Sequence, residues 1–238
     1  MIKYKSKVDD IPILLWGEKS DNLFIAVHGN MSNKEDVIID ILAEEAVQKG
    51  YQVLSFDLPE HGERKLDPTP CKVQFAVRDL SIIMDYAQSH WKKLSLFACS
   101  IGAYFSLLAY QKDVLEKALF LSPVVNMERM INNMMGWFNI TPDRLQKEKT
   151  IETPIGQKLY WDYFCYVKQH PVHTWHTDTS ILYGSNDEVC ELDTIDDFVK
   201  KFSCQLEVID SGEHYFHSEE QLTMFRYWLH KSISTAVI

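Results

Sequence analysis

The chain has no stretch approaching the roughly 18 to 20 consecutive apolar residues that cross a bilayer. Met1-Ile-Lys-Tyr-Lys-Ser-Lys-Val-Asp-Asp10 is charged and lacks the apolar centre of a secretory leader. Cysteine is sparse and odd in number: Cys71, Cys99, Cys165, Cys190 and Cys204 contain no CxxC pair. That pattern predicts reduced thiols and a cytoplasmic protein rather than a disulfide framework. Positive charge is the minority sign. Twenty-four Lys and Arg against 34 Asp and Glu give a formal net charge of -10, which excludes nucleic acid and strongly anionic ligands as favoured partners. Internal repeats and low-complexity tracts are missing too.

What is present is the composition of a globular domain: 238 residues, 46% hydrophobic and 24% charged. Short β-rich runs alternate with helical ones. Ile11–Trp16 and Leu23–His28 read as a strand pair around a polar turn, and residues 33–49 as an amphipathic helix closed by Gly50. A strand at 51–56, a helix at about 72–90, a strand at 93–99, a helix from Ala103 and a strand at 118–122 follow. After residue 180 come a strand at 181–183, a helix at 194–202, a strand at 206–209 and a helix at 218–230. This rhythm predicts an α/β fold with a mostly parallel central sheet flanked by helices. Residues 124–179 break it, with Met134, Trp137 and Trp161 among many Met and aromatic side chains. They read as a helical cap inserted between core strands, the core being 1–123 and 180–238. The cap's apolar residues either wall a pocket or pack the cap onto the body.

Ala98-Cys99-Ser100-Ile101-Gly102 places a serine between small residues at a strand-to-helix junction. Such a turn leaves almost no room for side chains two positions either side, and it presents the hydroxyl. A serine becomes nucleophilic when a base takes its proton and a third group orients that base. Asp187 follows one strand in Gly184-Ser-Asn-Asp187, and His214 follows the last strand in Gly212-Glu-His214. Glu188, Asp193 and Asp210 compete for the acid role, and His217 for the base. Cys99 competes as nucleophile, but its register would put Phe97 and Ile101 at the positions that must be small. The oxyanion needs donors. One is the Ile101 amide; the other comes from His28-Gly29-Asn30-Met31, with Asn30 favoured and Met31 the alternative. Met31, Met134, Trp137, Trp161 and His217 are the candidate pocket residues.

Together with Asp57-Leu-Pro-Glu-His61-Gly62, these motifs resemble the α/β-hydrolase-fold serine hydrolases over roughly residues 11–232. Glu60 departs from the Asp-x-x-Gly-His-Gly loop of that family by replacing the glycine before His61. The resemblance implies hydrolysis of an ester-like bond through an acyl-enzyme, with no metal or organic cofactor. The favoured substrate is a small molecule, a carboxylic ester with a neutral, small-to-medium acyl group. A thioesterase, an amidase or peptidase, an acyltransferase, or a catalytically silent ligand-binding module would carry the same residues. The run His170-Pro-Val-His173-Thr-Trp-His176 holds three imidazoles, but Pro171 prevents a shared helical face, so no metal site is expected there.

Overall fold

The computed structural model describes residues 1–236. Eight strands form one sheet: β1 (Lys3–Val8), β2 (Ile11–Trp16), β3 (Asn22–Val27), β4 (Gln52–Phe56), β5 (Lys93–Cys99), β6 (Ala118–Leu121), β9 (Thr179–Gly184) and β10 (Gln205–Ile209). Their order is β1-β2-β4-β3-β5-β6-β9-β10. Only β2 runs antiparallel to its neighbours, pairing with β1 on one side and β4 on the other. All remaining pairs are parallel. The expected pairing of Ile11–Trp16 with the next strand is therefore wrong. The hairpin is β1–β2, and β4 separates β2 from β3. β1 went unread because Lys3, Lys5 and Lys7 give it the composition of a solvated tail, which is also how an exposed edge strand resists further pairing.

The central strands are buried on both faces, so they read as continuous apolar runs rather than alternating ones. Along β3, Leu23, Ile25 and Val27 enter one core, and Phe24 and Ala26 enter a second core on the other face. Helices α2 (Val73–His90) and α3 (Ile101–Ala109) cover the first face; α1 (Val37–Gln48) and α8 (Glu219–Ser232) cover the second. Helix α7 (Leu192–Phe202) joins β9 to β10.

Between β6 and β9 lie α4 (Met127–Trp137), α5 (Pro142–Glu148) and α6 (Trp161–Gln169). A small antiparallel pair, β7 (Thr150–Glu152) with β8 (Lys158–Tyr160), sits between α5 and α6 and was not expected in a purely helical segment. Among the described residues, no helix is long and apolar enough to cross a membrane.

Candidate active site

Strand β5 ends at Cys99 and α3 begins at Ile101, leaving Ser100 alone in the turn. Its backbone sits at φ 50° and ψ -120°. For a residue with a Cβ this costs about 1–3 kcal/mol, which the packing around it must hold in place. Three neighbours are small for visible reasons. A methyl group on Gly102 would lie 2.5 Å from the His28 carbonyl oxygen, and one on Gly29 would lie 3.2 Å from Ser100 Cβ. Ala98 is fully buried between Val27 and Phe120 in the sheet register. Ser100 N–H donates to the Leu121 carbonyl at 3.1 Å, and its own carbonyl accepts from Val124 N–H at 3.0 Å.

Two loops at the carboxyl ends of β9 and β10 bring Asp187 and His214 to this serine. They are tied to each other: Asn186 N–H donates to the Gly212 carbonyl at 2.7 Å, and Ser185 N–H to that of Ile209 at 2.9 Å. His214 Nε2 lies 2.9 Å from Ser100 Oγ, and His214 Nδ1 lies 2.7 Å from Asp187 Oδ2. The Asp187 side chain is fully buried, and its second oxygen accepts from the Val189 and Cys190 amides, both at 2.8 Å. A carboxylate at Nδ1 keeps the ring proton there, so the lone pair of Nε2 faces the hydroxyl. The competing groups lie elsewhere. Asp193 accepts from the Thr194 amide. His217 donates from Nδ1 to the Tyr215 carbonyl at 2.9 Å and stands beside Glu213, exposed.

The loop after β3 is braced by two histidines. His28 Nδ1–H donates to the Gly29 carbonyl at 2.7 Å, while Nε2 accepts from Leu58 N–H at 3.0 Å. Burial lowers the pKa of His28 to about 4. His61 donates from Nδ1 to the Pro59 carbonyl at 2.8 Å and accepts at Nε2 from Met31 N–H at 3.1 Å. Met31's amide is thus engaged away from the serine. Among the described residues, the amides of Asn30 and Ile101 donate to no protein acceptor.

Glu60 takes the backbone form a glycine would, at φ 62°, and its carboxylate accepts from Cys71 N–H at 2.7 Å. Gly62 is sterically required, since a Cβ there would lie 2.2 Å from Asp57 Oδ1. Asp57 itself pairs with the buried Lys34 ammonium at 2.6 Å. Sequence reasoning missed Lys34, because a single lysine in a polar loop carries no periodic or motif signal.

Over Ser100 opens a cavity of about 600 Å³. Met31, Met134 and Trp137 line it, with Met127, Met130 and Ile131 of α4, Tyr160 at the end of β8, Tyr163 on α6, and Val189 and Tyr215 near Asp187 and His214. Trp161 and His217 do not line it. Trp161 turns inward at the start of α6, its ring 6.0 Å from that of Phe164 and packed on the main core. His217 stacks on Tyr215 at the surface, with ring centroids 5.7 Å apart. Cys99 borders the cavity, and burial pushes its thiol pKa up to about 12, so it stays protonated and weakly nucleophilic near neutral pH. Among the described residues, His170, His173 and His176 do not converge on a common ligand position.

No protein-family model and no curated protein sequence matches the chain. Solved structures do. Est1E from Butyrivibrio proteoclasticus, in a structure with ferulic acid bound, is 19% identical with a TM-score of 0.76, covering 96% of this chain and 97% of its own. A putative hydrolase from Agrobacterium vitis S4 is 14% identical with a TM-score of 0.79, covering 98% and 99%. Alpha/beta hydrolase domain-containing protein 10 from mouse is 14% identical with a TM-score of 0.73, covering 98% of each chain. Strand order, the turn at Ser100 and these full-length likenesses together show that the chain has the α/β-hydrolase fold.

Proposed function

We propose that the protein is a serine hydrolase that cleaves carboxylic esters of neutral, small-to-medium acyl groups through an acyl-enzyme. The observation that carries this reading is the unbroken chain Ser100 Oγ to His214 to Asp187, at 2.9 and 2.7 Å, on the floor of an apolar cavity. A cavity of that size holds a ligand of small-molecule dimensions.

His214 Nε2 takes the Ser100 proton as Oγ attacks the ester carbonyl, a step worth about 10²- to 10⁴-fold in general-base catalysis. Asp187 keeps the imidazole oriented and stabilises the imidazolium, its second oxygen fixed in place by two backbone amides. The Asn30 and Ile101 amides receive the oxyanion, where each donor contributes on the order of 10²- to 10³-fold. His214 then returns the proton to the leaving alcohol. Water, deprotonated by the same nitrogen, releases the acid and regenerates Ser100. Residues 124–179 act as a cap over the 1–123 and 180–238 body, with α4 supplying the apolar wall of the acyl pocket.

A fluorophosphonate probe tests this directly. Wild-type protein is expected to label stoichiometrically and the Ser100→Ala variant not at all; folded wild-type protein that resists the probe overturns the reading. Matched p-nitrophenyl esters, thioesters and anilides then separate ester hydrolysis from thioesterase and amidase activity on the same residues.

A further inference from the structure

We propose that Asp187, Cys190 and His214 form a zinc site that switches the acid–base pair off. One donor atom from each side chain lies within 4.8 Å of the other two, the only such group of His, Cys, Asp or Glu among the described residues. Cys190 is buried three positions after Asp187, and its thiol has no part in the hydrolysis derived above. Thiolate, imidazole and carboxylate make a donor set suited to Zn²⁺, with a fourth position left for water. Mg²⁺ and Ca²⁺ want six or more oxygen ligands and are not expected to compete. Two anionic ligands also cancel the charge of the ion, which a buried site demands.

Tetrahedral zinc needs donors roughly 3.3 to 3.5 Å apart. The 2.7 Å contact between His214 Nδ1 and Asp187 Oδ2 would therefore open by well under 1 Å. On binding, Asp187 Oδ2 exchanges its hydrogen bond for the metal, while Oδ1 stays anchored by the Val189 and Cys190 amides. The Cys190 thiol gives up its proton to solvent. With zinc on Nδ1, the ring proton moves to Nε2, the nitrogen 2.9 Å from Ser100 Oγ. Nε2 then donates instead of accepting and takes no proton from the serine.

The inhibitory consequence rests on the proposed hydrolase reading, whereas the binding does not. Cobalt(II) serves as the spectroscopic probe. Untagged wild-type protein is expected to show a thiolate-to-cobalt charge-transfer band that is absent from Cys190→Ala and from the closer isostere Cys190→Ser. Zinc chloride is expected to slow fluorophosphonate labelling of the wild type, reversibly on chelation. Each variant, compared with its own zinc-free rate, should need about tenfold more zinc or beyond for the same slowing. Absence of the band from the wild type, or zinc sensitivity in both variants equal to that of the wild type, overturns the proposal. A band without any labelling in zinc-free buffer would leave the site standing and sink the hydrolase reading instead; labelling without a band does the reverse.

Discussion

A methyl group on Gly184 would lie 2.3 Å from the Gly212 carbonyl oxygen, backbone against backbone, with no flexible side chain to give way. These two glycines let the ends of β9 and β10 approach closely enough for Asn186 N–H to reach the Gly212 carbonyl. Asp187 and His214 each follow within three residues, so separation of the loops passes directly to the 2.7 Å contact between them. Gly184→Ala should therefore cost about 1–3 kcal/mol from overpacking. It should also slow fluorophosphonate labelling by on the order of 10²-fold, since a displacement near 1 Å at a catalytic pair has that scale. Thermal unfolding and labelling rate measured on the same sample check both. A variant that loses stability but labels at the wild-type rate would show that the glycine contact holds the fold and not the acid–base geometry.

Among the elements, α4 and α6 contribute unequally to the cavity, although both come from the same Met- and aromatic-rich segment. Met134 and Trp137 on α4 line it, and Trp137 is 55% exposed at its mouth; Trp161 on α6 faces the core. Trp137→Ala should then shift the preferred acyl length on p-nitrophenyl esters toward longer chains, as the wall recedes. Trp161→Ala should lower the melting temperature and leave the profile's shape unchanged. An unchanged profile in Trp137→Ala returns that side chain to plain packing. The contrast also marks the limit of what the sequence disclosed. Both tryptophans carry the same composition signal, and which face of a helix meets the cavity is decided by tertiary packing. Elements with a strong local signature were legible: the parallel strands, the turn at Ser100, and the short motifs holding Asp187 and His214. β1 and the β7–β8 pair were not, because strands of three residues or of alternating lysines lack an apolar period. Strand order was hidden as well, since β2 meets β4 across a connection no local pattern encodes.

At the scale of the whole molecule, acid should act on two opposing quantities. The net charge of -10 at neutral pH means that protonating surface carboxylates relieves repulsion and favours the folded state. Those charges are spread and screened, so each contributes well under about 1 kcal/mol. His28 opposes them from a buried position where β3 meets the site, held between the Gly29 carbonyl and the Leu58 amide. Its pKa is lowered to about 4 in the fold against 6.5 in the unfolded chain, chiefly by burial. Between those values the unfolded chain binds the extra proton, so stability rises with pH across the window and is lost on acidification. The full loss is on the order of 3 kcal/mol, complete near pH 4 and absent above about 6.5. Carboxylates of ordinary acidity titrate near pH 4 and stay mostly ionised above it, so the His28 effect leads in this window and the native state should weaken between pH 6.5 and about 4. Urea unfolding at closely spaced pH values reads the slope. His28→Gln should be less stable at pH 7, having lost a fitted hydrogen-bond pair, yet lose stability less steeply on acidification, by close to one proton. Parallel slopes for the two proteins would mean that the acid sensitivity lies elsewhere and that the loop bearing Asn30 is not its origin.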